Sequence, residues 1–249
     1  MKRSTSRSSK YIQPHLPSSI FHHPILPLLE QLIHFDQQLL LALNGSDSLY
    51  WDSFFMLVTK TLPWIPMAAI LLFLVARDGG WRRWLVFALS FALVIFIADR
   101  FSSGFCKPFF HRFRPTHEPA LEGLVDIVGD YTGGLYGFIS SHAANTFGLA
   151  TFLSLVLSQR SDVLTLFCWA SLSSYSRIYL GLHYPGDILC GALWGALTGI
   201  FCFWLYQQAL SLVCPSSPSE HRESGFTGAV ILPIAFVITC IILLLIPLF

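Results

Sequence analysis

Apolar runs of membrane-spanning length constrain this chain's fold more than any other feature. A spanning helix needs about 20 predominantly apolar residues. In hydrocarbon the backbone must satisfy its own hydrogen bonds, which leaves helices or closed barrels. Runs at residues 51–76, 83–105, 140–157, 163–176, 185–209 and 225–249 are candidates, and the last carries no charge. The chain is 54% hydrophobic and 12% charged, against about 25% charged in a soluble domain. The expected fold is all-α, a polytopic membrane bundle of about six transmembrane helices with an N-terminal interfacial helix.

The remaining segments follow from their polarity. Residues 1–23 are rich in Ser, Lys, Arg and His and read as a mobile polar tail, without the apolar core of a signal peptide. Residues 24–50 mix Glu30, His34, Asp36 and three glutamines with leucines, which suits a helix lying in the interface. Residues 51–209 form the transmembrane core, 210–224 a linker, and 225–249 the C-terminal span. A net charge of +1 gives no footprint for nucleic acid. Six cysteines lack metal-ligand spacing and read as small buried hydrophobes.

Three polar clusters interrupt this background, and ionisable groups at a membrane are costly and usually functional. The first is Lys107-Pro-Phe-Phe-His-Arg-Phe-Arg114-Pro115, in which a point charge and a planar fork suit phosphate oxygens. The second is Ser140-Ser141-His142. Its serine is a good helix cap, and the amides behind such a cap attract anions. The third runs from Ser176-Arg177 through His183 to Pro185-Gly186-Asp187. Proline favours the first helical position, so a helix starting at Pro185 puts Asp187 in its first turn, within reach of His183. A carboxylate there fixes the imidazole tautomer and can make the ring a nucleophile.

Counting spans brings all three clusters to one membrane face. The opposite face receives Arg77, Arg82, Arg83 and Arg160. By the positive-inside rule that side is cytoplasmic and the clusters are extracytoplasmic. The basic tail (Lys2, Arg3, Arg7, Lys10) runs against this unless residues 24–44 cross the membrane. The assembled cations, histidines and carboxylate fit phosphoryl transfer by positioning and charge neutralisation. No carboxylate set suited to Mg²⁺ or Zn²⁺ appears among them, so no metal and no cofactor is expected. Lys60, in the outer part of the first run, is a candidate contact to a second anionic or sugar group of a lipid headgroup, with a snorkelling lysine as the alternative. Asp99 reads as a structural partner of Arg100 or of a motif cation. A transporter is the competing non-enzyme reading, and transfer of phosphate to a lipid alcohol the competing reaction.

These motifs resemble the type 2 phosphatidic acid phosphatase superfamily of membrane lipid phosphatases. Its pattern is Lys-x6-Arg-Pro, Pro-Ser-Gly-His and Ser-Arg-x5-His-x3-Asp. The first and third are complete here; in the second, Ile139 replaces proline and Ser141 replaces glycine, while Ser140 and His142 remain. The resemblance implies that His183 forms a phosphohistidine, Asp187 orients it, and His142 protonates the leaving group. It implies that Lys107, Arg114, Arg177, Ser140 and Ser141 hold the phosphate. It also implies a lipid phosphate substrate and an active site facing the periplasm from a bacterial inner membrane. The runs 43–54 and 140–150 look like the branch acting on lipid A, especially its 4′-phosphate, which is similar to undecaprenyl-diphosphate phosphatases.

Overall fold

The computed structural model describes residues 25–77, 80–213 and 228–248. The expected polar tail lies outside the described residues, as do residues 214–224 of the expected linker. The helices are α1 (Ile25–Leu43), α2 (Leu49–Val58), α3 (Ile65–Arg77), α4 (Gly80–Asp99), α5 (Lys107–Phe110), α6 (Ser141–Leu157), α7 (Arg160–Tyr179), α8 (Pro185–Val213) and α9 (Gly228–Leu245). No strand occurs among the described residues, where only an isolated bridge pairs Phe113 with Tyr136. By its contacts the chain divides into a unit ending at Phe35 and a compact unit from Asp36 to Phe249. All of the chemistry described below lies in the second.

By length and composition three helical segments can cross a membrane: Gly80–Phe110, Pro185–Val213 and Val230–Leu248. A fourth forms if the bent pair Leu49–Val58 and Leu62–Phe73 counts as one span. The expected count was about six, and the difference lies in α6 and α7. Helix α6 has 17 residues and is buried along most of them, packed against α4, α7 and α8. Helix α7 buries Asp162, Thr165, Ser173, Ser174 and Ser176. Helices enclosed by other helices need not be apolar toward lipid, so their composition departs from that of a lipid-facing span.

Two local breaks position the site. Between α2 and α3 the axis turns by 62°. Pro63, inside the turn Leu62–Trp64, and Pro66 lack the amides a continuous helix would use. Helix α4 does not end near residue 105 as its hydropathy suggests. It continues through a π-helical segment, Arg100–Cys106, into α5. Within it the Ser102 hydroxyl donates to the Ala98 carbonyl at 2.7 Å, the kind of insertion into a helix ladder that deforms it. Lys107 is therefore on a helix rather than on a loop.

The closest helix contact joins α6 to α8 through small residues four apart. A Cβ on Gly191 would stand 2.5 Å from the Ser140 carbonyl oxygen, and one on Gly199 2.5 Å from that of Gly148. At Gly195 it would collide with the Ala144 carbonyl. Such small-residue stripes let membrane helices approach at backbone distance. The other side of α8 exposes Leu189, Leu193, Leu197 and Trp204, as a lipid-facing stripe would. Helix α9 packs on α3 and α7, with Phe236 stacked on Trp64 at 6.1 Å and Leu232 and Leu243 fully buried. Of the cysteines, Cys106 and Cys202 are buried, whereas Cys168 and Cys190 face outward.

Candidate active site

The turn between α7 and α8 carries the central histidine. Gly181 turns the chain with φ +68°, and a Cβ there would meet Val125 at 2.7 Å. The amides of Leu182 and His183 then both donate to the Arg177 carbonyl, at 3.0 and 3.3 Å. Helix α8 starts at Pro185, so Asp187 falls in its first turn. One oxygen of Asp187 accepts from Arg112 Nη1 at 2.7 Å. The other meets His183 Nδ1 at 3.4 Å and the Tyr184 amide at 3.2 Å. Asp187 is fully buried and His183 is 1% exposed.

The tautomer follows from the neighbours. Arg114 Nη1 lies 3.1 Å from His183 Nε2, and a guanidinium can only donate. Nε2 therefore presents its lone pair and Nδ1 carries the proton, facing Asp187. Burial first, then the charges of Arg114, Arg177, Lys107 and His142, hold the imidazole well below its ordinary pKa. The ring is neutral at physiological pH, with the Nε2 lone pair turned toward Arg114.

Three cations act on this ring, and Arg114 touches Nε2. Arg114 is buried and donates to the Leu182 carbonyl at 2.9 Å. Burial, then the neighbouring Arg177, push its pKa down. Arg177 Nη1 donates to Thr59 Oγ1 at 2.7 Å, and the Tyr131 hydroxyl adjoins the same guanidinium. Lys107 Nζ donates to Ser141 Oγ at 3.1 Å and Ser103 Oγ at 3.3 Å. Ser103 is in turn bonded to Asp99 at 3.1 Å, so Asp99 meets its motif cation through a hydroxyl. Among the described residues none of these three cations forms an ion pair, and the Nε atoms of Arg114 and Arg177 are buried without a partner. Arg112, by contrast, meets two carboxylates at 2.7 Å each. Burial lowers the Arg112 pKa, but Asp187 and Asp36 more than offset this and hold it above its ordinary value.

Helix α6 completes the site. Ser140 is its cap, with Oγ accepting from the Ala143 amide at 3.3 Å, and its own amide donates to the Asp187 carbonyl at 3.1 Å. Ser141 and His142 occupy the first turn. Of the residues singled out in the sequence, His183, Asp187 and Arg114 touch directly, Lys107 reaches Ser141, and Ser140 is tied to Asp187. Lys60 stands apart from these contacts: it is exposed, in the break after α2, next to the Thr59 that holds Arg177. Several site residues escaped the motifs. Thr59, Tyr131 and Asp36 are among them, Arg112 fills a variable position inside the first motif, and Gly137 was missed as well. A Cβ on Gly137 would stand 3.1 Å from Asp187 Oδ2 and 3.6 Å from His183 Nδ1. The run of glycines at 133, 134 and 137 was the available signal for the last. Among the described residues no three His, Cys, Asp or Glu side chains form a metal-binding group.

A buried neutral histidine ringed by unpaired cations, at the end of a membrane helix bundle, defines a membrane phosphatase. The chain belongs to the PAP2 superfamily, whose family model matches residues 83–211, and it is a phosphoric monoester hydrolase that acts on a lipid. It is 36% identical to a lipid A 4′-phosphatase of Bacteroides thetaiotaomicron over 199 residues, 80% of this chain and 88% of the relative. It is 35% identical to a lipid A 4′-phosphatase of Porphyromonas gingivalis, over 77% of this chain and 83% of the relative. Lipid phosphate phosphatase gamma of Arabidopsis thaliana is 26% identical over 60% of the chain. No solved structure matches it.

Proposed function

We propose that this enzyme removes the 4′-phosphate of lipid A at the periplasmic face of a bacterial inner membrane, through a phosphohistidine on His183 and without a metal ion. The observation that carries the chemistry is the set of three cations without carboxylate partners around a neutral imidazole. Leaving buried charge uncompensated is strongly destabilising, and a phosphate monoester dianion is the matching guest. Arg114 and Arg177 offer planar forks with unused Nε donors, and Lys107, Ser140 and Ser141 close the cradle. Support for lipid A comes from the two bacterial relatives, which cover most of the chain.

In this reading the Nε2 lone pair attacks phosphorus in line with the ester oxygen. The P–O bond breaks, and the leaving oxygen takes a proton from His142. Asp187 keeps the Nδ1 proton in place and balances the positive charge that the ring gains. His142, now neutral, takes a proton from water as that water attacks the phosphohistidine. The N–P bond breaks, its electron pair returns to Nε2, and inorganic phosphate leaves. Lys60, beside Thr59, meets a second anionic or sugar group of the headgroup.

A lipid panel with purified protein tests this reading. It compares bis-phosphorylated and monophosphorylated lipid A, undecaprenyl diphosphate, phosphatidic acid and phosphatidylglycerol phosphate, with phosphate release and product mass as readouts. The expected result is release from the 4′ position of lipid A by wild type and none by His183→Ala. Release by His183→Ala would remove the phosphohistidine step. Preference for undecaprenyl diphosphate would replace the substrate, and a phosphorylated lipid product would replace hydrolysis by transfer. Lys60→Ala should raise KM for bis-phosphorylated lipid A more than for the monophosphorylated form; an equal effect on both would remove the headgroup contact.

A further inference from the structure

We propose that Asp36, on α1 and upstream of the residues matched by the family, is a positioning residue of the active site that acts through Arg112 on Asp187. This rests on the reading of His183 as nucleophile. Arg112 spans two carboxylates, Nη1 on Asp187 Oδ1 and Nη2 on Asp36 Oδ2, each at 2.7 Å. Its guanidinium lies over the Tyr184 ring, 4.1 Å from the centroid, which fixes the plane of the fork. The second oxygen of Asp36 accepts from the Gly186 amide at 2.7 Å. Gly186 immediately precedes Asp187 in the first turn of α8, and a Cβ there would stand 2.7 Å from Asp36 Oδ2. One carboxylate therefore fixes both the arginine that holds Asp187 and the backbone from which Asp187 projects.

The charges explain why the arrangement suits catalysis. Asp187 with Arg112 alone is a neutral pair, and its guanidinium draws the carboxylate away from His183 Nδ1–H. Asp36 supplies a second negative charge to Arg112, so the group facing His183 keeps a net charge of −1. When Nε2 bonds to phosphorus and Nδ1 retains its proton, the ring becomes cationic, and this net charge stabilises it. The pairing also sets Arg112 apart from Lys107, Arg114 and Arg177, which meet no carboxylate among the described residues.

A double-mutant cycle on the purified full chain tests the proposal. Asp36→Asn keeps an oxygen for Gly186 but loses the charge. It should lower kcat about tenfold, the scale of losing an outer hydrogen-bond partner, with KM and melting temperature unchanged. In an Arg112→Gln background the same Asp36→Asn change should cost nothing further, because residues acting through a shared partner are not additive. Equal losses in both backgrounds, or a change confined to KM or melting temperature, would overturn the proposal. Arg112→Lys keeps the charge but loses the planar fork that meets each carboxylate with a separate nitrogen. It should also lose kcat at unchanged KM, and wild-type kcat there would overturn the proposal even if Asp36→Asn does not fold. His183→Ala is measured alongside. Activity in that variant would remove the nucleophile reading itself, whereas an inactive His183→Ala with additive Asp36 and Arg112 losses would remove only the positioning role.

Discussion

His183 is useful because its surroundings keep it neutral, and that has consequences for stability as well as for reactivity. Its folded pKa lies well below the ordinary value of 6.5. Well above pH 6.5 neither the folded nor the unfolded chain protonates this ring, so it adds no pH dependence there. Below pH 6.5 the unfolded chain takes up a proton that the folded chain refuses, so stability falls as pH falls. The melting temperature in detergent should therefore drop between pH 7.5 and 5.5, and drop less in His183→Gln. Identical slopes in the two proteins would contradict the burial argument. In the proposed mechanism His142 gives a proton to the leaving oxygen, a task that matters only when the leaving group is basic. His142→Ala should slow release from an alkyl phosphate about 100-fold, within the range for general acid catalysis. With 4-nitrophenyl phosphate, whose leaving group needs little help, the loss should be less than about fivefold. Equal losses on both substrates would assign His142 to binding instead.

At the scale of elements, what could be read from the sequence was what short-range chemistry determines. Ser140 caps α6 and Pro185 opens α8, because a cap and a first-turn proline act within a few residues. The extension of α4 to residue 110 was hidden, since it depends on a π-helical segment in which a serine hydroxyl intrudes on the ladder. The bond from Gly186 to Asp36 joins residues 150 positions apart, and no local pattern encodes such a pairing. The glycines of α8 were visible as residues but not as a surface, because their meaning appears only when α6 lies against them. That surface also holds the site, since it sets the distance between Ser140 and Asp187. Gly195→Ala drives a Cβ into the Ala144 carbonyl, and α6 must give way. The expected cost is about 1–3 kcal/mol, as for other overpacked cores, seen as a lower melting temperature with reduced kcat. Leu193→Ala, on the exposed face of the same helix at 68% exposure, should change neither. Equal losses from both substitutions would mean that the stripe does not fix the helix spacing.

For the whole molecule, the distribution of exposed charge bears on which way the bundle stands in the membrane. Lys107, Arg112 and Arg114 belong to the connector between the second and third runs, yet all three point into the site and bond there. What that connector exposes to water includes Glu122, Asp126 and Asp130. At the other end of the bundle Arg82 and Arg160 are exposed, in the first turns of α4 and α7 beside short connections of the kind that the positive-inside rule weighs most. In the proposed orientation this asymmetry corresponds to an α6–α7 corner in the cytoplasm and a site outside, where an externally displayed lipid phosphate would meet it. Helix α9 does not alter this argument, because it is bound into the bundle by Trp64 and by the bond from Tyr50 to the Leu244 carbonyl at 2.8 Å. In a background with the native cysteines replaced, Glu122→Cys should react with a membrane-impermeant maleimide in intact spheroplasts. Ser158→Cys, at the α6–α7 corner, should react only after the membrane is opened. The reverse pattern would put the site on the cytoplasmic side, and the enzyme would then have to take its substrate from the inner leaflet.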